Sequence, residues 1–170
     1  EPTCDDGAGF DSTFEAIQAN IFDRHGCTTP VCHGSSAAGG LDLSPDVAYQ
    51  NLVEVDSLGS RWRRVEPGDK DRSYLWLKLA AGTNPGSVTV AGAPMPNGSP
   101  PLSEEELEAM RLWVYSGAPE TGTVLGTEDL LGACLPEIKP ITVKPLAPPA
   151  AGEGIQFVLP PLPLKASSEQ

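Results

Sequence analysis

Four stretches of the chain place apolar residues at helical spacing between polar ones. In the first, Phe14, Ile17, Ile21 and Phe22 share one face, Ser12 and Glu15 stand at capping-box spacing ahead of them, and Gly26 stops the run. Ser44-Pro45-Asp46 opens a shorter helix near 45–52, anchored by Val47, Leu52 and Val53. Asp69 or Asp71 caps a third over roughly 71–80, with Leu75, Trp76 and Leu79 as packing surface and Gly82 as its end. The fourth begins at the Ser103/Glu106 capping box, carries Leu107, Met110, Trp113 and Val114 on one face, and closes at Gly117 and Pro119. A mainly α domain over 11–120 follows, with an irregular arm at 1–10.

The segments between these helices are of three kinds. Residues 34–40 are small and glycine-rich, so backbone can approach a flat ligand there. Residues 61–71 are charged and contain Pro67-Gly68, and 83–102 are dense in Gly, Pro, Asn and Ser; both read as loops. From 121 the character changes, and 136–164 is proline-rich with β-prone runs at Ile141-Thr142-Val143 and Ile155-Gln156-Phe157-Val158-Leu159. Residues 121–170 therefore read as an extended tail, partly polyproline, able to lie along the domain or to add a strand to a second copy of the chain.

Composition narrows the classes. With 170 residues the chain holds about one core, and its 18 Gly and 18 Pro demand much loop. A net charge of −12 disfavours nucleic acid and steers basic partners. No apolar run is long enough to span a membrane. A start at Glu1 without Met suits a mature product secreted to the periplasm or beyond.

The chemistry centres on Cys27-Thr28-Thr29-Pro30-Val31-Cys32-His33. Two thiols followed at once by an imidazole are what covalent haem attachment needs: thioethers to the two vinyl groups and a proximal iron ligand from His33. Four residues separate the cysteines where two are usual, and a Cys27–Cys32 disulfide without haem satisfies the same spacing. A thioether is a frequent second ligand. Met95, in the loop between Pro94 and Pro96, is the candidate, whereas Met110 sits on an apolar helix face as core. Arg61, Arg63 and Arg64 surround Trp62, and such guanidinium groups can hold propionates, with Arg64 the candidate; a solvated basic loop is the plainer reading. Trp62, Tyr74, Trp76 and Trp113 are core or pocket wall. His25, at the end of the first helix, suits a cationic side chain at a helix C-terminus. Cys4 and Cys134 are left to pair as a disulfide or remain thiols, the pair being what an oxidising compartment permits. Zinc lacks a second ligand pair, two histidines so close together do not furnish a hydrolase, and no glycine-rich phosphate loop is present.

With these residues the chain resembles the class I c-type cytochrome domains of secreted planctomycete and myxobacterial proteins. The likeness spans about 12–119: Ile21-Phe22 into Gly26-Cys27, Cys32-His33-Gly34, Gly40-Leu41-Asp42-Leu43, Arg64-Val65-Glu66-Pro67-Gly68-Asp69, Ser73-Tyr74-Leu75, Met95-Pro96, Pro101-Leu102-Ser103 and Trp113 through Gly117-Ala118-Pro119. The resemblance implies a cytochrome c fold whose first and last helices cross, one covalently attached haem c, iron ligated by His33 and Met95, and single-electron transfer to redox proteins without catalytic turnover. The end of the tail, 154–170, is similar to the lead-in of copper type II monooxygenase-like modules, without their copper-binding part. Two rivals stand beside this expectation: a haem-free, disulfide-stapled interaction module or oligomer subunit, and a peroxidase-like enzyme, which needs an open distal position and which Met95 disfavours.

Overall fold

A computed structural model of the protein describes residues 9–138. The chain divides into two units, Glu1–Ile138 and Lys139–Gln170. The β-prone runs at 141–143 and 155–159 and the tail resemblance at 154–170 lie outside the described residues, as does Cys4.

Among the described residues the regular elements are all helical, accompanied by isolated β-bridges, so the class is mainly α. Helix α1 spans Thr13–Ile17 and runs on as a π-helical stretch, Gln18–Asp23. Ser12 Oγ accepts the Glu15 N–H at 3.1 Å, but Glu15 Oε2 takes the Asp11 N–H at 2.6 Å instead of reaching back to Ser12. The expected reciprocal box is therefore half formed. The wider turn has its own signature, since the Arg24 and Cys27 N–H groups donate five residues back, to Ala19 and Phe22. Ile17, Ile21 and Phe22 nevertheless remain buried.

Helix α2 is Ala48–Leu52, shorter than expected at its start. Ser44 is held in a turn rather than as a cap: its N–H donates to Asp42 Oδ1 at 2.8 Å, and its carbonyl accepts the Val47 and Ala48 N–H groups. Helix α3, Tyr74–Thr83, is preceded by a 3₁₀ turn, Lys70–Arg72, and it is this turn that Asp69 caps, accepting from Asp71 N and Arg72 N. Gly82 lies inside α3 rather than ending it. Helix α4, Glu104–Tyr115, carries the complete capping box, with Ser103 Oγ accepting Glu106 N at 3.1 Å and Glu106 Oε2 accepting Ser103 N at 2.8 Å.

The core forms where α1 meets α4. Phe14 stacks obliquely on the fully buried Trp113 at 5.4 Å and edge-on against Tyr49 at 5.2 Å. The Trp113 indole N–H donates to the Pro119 carbonyl, and Tyr49 Oη to that of Ala118. Met110 is buried core, as its place on the helix face predicts.

The domain does not stop near 120. Helix α5, Glu128–Leu131, packs against α1 and α4, and Val124, Leu131 and Ala133 join the core. Thr13 Oγ1 accepts the Val124 N–H at 2.8 Å and lies 3.1 Å from Thr127 Oγ1, which itself donates to the Val124 carbonyl. Phe10 N donates to the Cys134 carbonyl at 2.9 Å. The part of the expected tail from 121 to 138 thus belongs to the domain. Its residues are too few and too polar to show a helical period, and their burial depends on contacts distant in sequence.

Candidate functional site

A cavity of about 550 Å³ opens between the 25–43 segment, α3 and the loop that follows it. That size suits a drug-sized organic ligand. Five side chains singled out from sequence, Cys27, Cys32, His33, Arg64 and Met95, all line it. The floor is apolar, with Phe22, Leu43 and Leu79 buried beneath.

The 27–33 segment is folded by its own backbone. His33 N donates to the Cys27 carbonyl at 2.9 Å, and Cys32 N to that of Thr29 at 3.0 Å, so both ends of the motif are drawn together while the middle bulges. Pro30 and Val31 face solvent on that bulge, Val31 being 85% exposed. Thr28 Oγ1 donates to Asp23 Oδ1 at 2.7 Å, anchoring the bulge to the π-helical end of the first helix. Gly34 follows because nothing larger fits: a Cβ there would overlap the carbonyl oxygens of Thr28 and Thr29.

His33 Nδ1 lies 3.3 Å from the Leu41 carbonyl, which can only accept, so Nδ1 carries the proton. In the neutral ring Nε2 then keeps its lone pair, and it makes no hydrogen bond with a described residue. This is the arrangement a metal-ligating imidazole requires. Cys27 and Cys32 are free thiols. Burial first, and then the neighbouring Cys32, push the Cys27 thiol up to about 11, with Asp23 adding to the rise. A neutral thiol at physiological pH is not the thiolate that a cysteine nucleophile needs. Cys134 is disulfide-bonded, and the Cys4–Cys134 pairing stands as a proposal because Cys4 is outside the described residues.

Of the arginine cluster, Arg64 alone lines the cavity. Two of its donors bind the Asn51 and Gly40 carbonyls, each at 2.7 Å, leaving others of its five free to meet an anion. Arg63 instead pairs with Glu54 and Glu66, and Arg61 stacks 4.3 Å from the Trp62 ring. Tyr74 is the only one of the four named aromatics in the cavity wall. Trp113 went to the core, and Lys70 covers the Trp76 ring at 4.5 Å.

His25 also lines the cavity, but both ring nitrogens are engaged, Nδ1 with the Pro100 carbonyl at 3.2 Å and Nε2 with the Glu106 carboxylate at 3.1 Å. Its ring partners are thus groups distant in sequence, where a place at a helix end was expected to account for it. The residue that sequence reading passed over is Lys78, in the cavity wall beside Met95. Its signal was the spacing of Tyr74, Lys78 and Gly82, one α3 face by the four-residue repeat. Burial lowers the pKa of its amine.

No family model matches this chain, and neither a curated protein nor a solved structure matches it.

Proposed function

We propose that the chain is an extracytoplasmic monohaem c-type cytochrome that carries single electrons between redox proteins. The observation that carries the reading is the convergence of Cys27, Cys32, His33, Arg64 and Met95 on one apolar-floored cavity. The donor set fits haem c: two thiols beside each other for thioethers, an imidazole with its free lone pair, a thioether from a separate loop, and a guanidinium group for a propionate. When bound, haem c supplies a one-electron iron couple. The chain's part is to hold the His33 tautomer through Leu41, to keep water from the cavity floor with Phe22, Leu43 and Leu79, and to present Met95 from the opposing loop.

The bulge at Pro30 and Val31 lets the two cysteines stand on one wall despite four intervening residues. The acidic surface favours basic redox partners, and the 139–170 segment is proposed to mediate self-association.

The test is the reduced-minus-oxidised spectrum of the secreted protein after denaturing extraction. Covalently retained haem is expected, and its absence overturns the reading. In the haem protein Met95→Ala is expected to remove the thioether-to-iron absorption and lower the reduction potential; an unchanged spectrum takes Met95 out of the site.

A further inference from the structure

We infer that Lys78 is a positioning residue: together with Tyr74 and Gly82 it clasps the Met95 segment onto α3 and so sets where the Met95 thioether stands in the cavity. The consequence for iron rests on the cytochrome reading. The clasp itself stands on the polypeptide alone.

The loop that carries Met95 has little to hold it. Among the described residues, Met95 N–H is the sole backbone donor between 88 and 102 with a backbone acceptor, and that acceptor is the Lys78 carbonyl at 3.0 Å. The remaining ties to this face come from side chains of α3. Lys78 Nζ donates to the Ala91 carbonyl at 2.9 Å and also to that of Ala93, while Tyr74 Oη donates to Ala91 at 3.0 Å. At the end of the same face Gly82 has no side chain, and the Met95 carbonyl occupies the space a Cβ would take.

These three residues recur every fourth position, so a single helix face meets consecutive points of the loop: Ala91, Ala93, then Met95. An ammonium suits the central place, because it carries three donors and can bridge two carbonyl oxygens, with bonds stronger than those of a neutral amide. The loop is otherwise rich in Gly and Pro, whose backbone forms no ladder of its own. A Met side chain on such a loop has a defined place only if the loop has one. Met95 is half-buried and packs against the core, while Ala91 through Pro94 are exposed.

The test uses the full-length haem protein and three variants: Lys78→Met, which keeps length but removes the donors, Lys78→Arg, which keeps donors, and the milder Tyr74→Phe. Amide hydrogen exchange of Met95 is compared with that of residues 104–115, and imidazole is titrated against the ferric form. Lys78→Met is expected to raise Met95 exchange by about tenfold or more with 104–115 unchanged, as loss of charge-assisted bonds to the loop requires. Imidazole affinity should rise by a comparable factor, Lys78→Arg should restore both, and Tyr74→Phe should give a smaller rise. Unchanged Met95 exchange in Lys78→Met, or an equal rise across 104–115, overturns the clasp. Faster Met95 exchange with unaltered imidazole affinity overturns its control of the thioether. Should the protein carry no haem, the cytochrome reading fails while the exchange comparison still decides the clasp.

Discussion

Replacing Gly82 with alanine sets two forces of opposite sign against each other. Inside a helix alanine is favoured over glycine by about 0.8–1.0 kcal/mol, so propensity alone makes Gly82→Ala stabilising. Packing opposes it. An added Cβ would overlap the Met95 carbonyl oxygen and lie 3.0 Å from its carbonyl carbon and 3.7 Å from its nitrogen. These are backbone atoms, unable to swing aside as a side-chain tip can, and the segment is tied to α3 through Met95 N and the Lys78 carbonyl. Overpacking of this kind costs about 1–3 kcal/mol, and the absence of a soft neighbour places the cost in the upper part of that range. The expected net effect is a loss of about 1–2 kcal/mol, with a fall in melting temperature of about 3–5 °C for each kcal/mol in a domain of this size. Urea and thermal unfolding followed by circular dichroism measure it. A variant as stable as the parent, or more stable, refutes the reasoning, because propensity would then have won and the Met95 backbone could not lie on α3.

Truncation after residue 120 should leave the domain unable to fold cooperatively, since Val124, Leu131 and Ala133 are core residues; a sharp unfolding transition in that truncated chain contradicts this. Thr13→Val should cost about 1–3 kcal/mol in urea unfolding, because it strips the buried Val124 N–H of its acceptor; a neutral result shows that the contact adds nothing. Ser103→Ala should cost about 1 kcal/mol through the α4 capping box, read by the same assay. In the haem-free chain, Cys27 should alkylate with a midpoint near pH 11. The folded-state value is raised, so this group's stabilising contribution is present below the ordinary thiol range and lost as pH rises toward 11. A midpoint near about 8.5 shows the thiol to be solvated instead.

Legibility followed the range of the interactions involved. The α4 helix was readable in full because its capping box and its apolar face at 107, 110, 113 and 114 are local properties. So were the buried face of α1 and the core place of Met110, which are marked by residue type and near neighbours. The half-formed box at Ser12, the late start of α2 and the start of α3 depended on which neighbour takes a single hydrogen-bonding group, the Glu15 carboxylate in the first case and backbone N–H groups in the other two. Asp11, Asp42 and Asp69 enter that competition, and a pattern of apolar residues does not register it.

What the amino-acid sequence determined by itself is the helical class, the position of its strongest helix and the thiol–thiol–imidazole motif. Tertiary structure alone decided that Met95 faces the same cavity as His33, that Arg64 and neither Arg61 nor Arg63 reaches it, and that 121–138 belongs to the core. It also gave Gly82 its meaning, turning a residue that ends a helix on paper into the place where a loop carbonyl rests. The physical reason is common to all of these. Helix periodicity and capping are set within a few residues, whereas burial, tautomer and loop placement are set by whichever distant groups the folded chain brings within hydrogen-bonding or van der Waals reach.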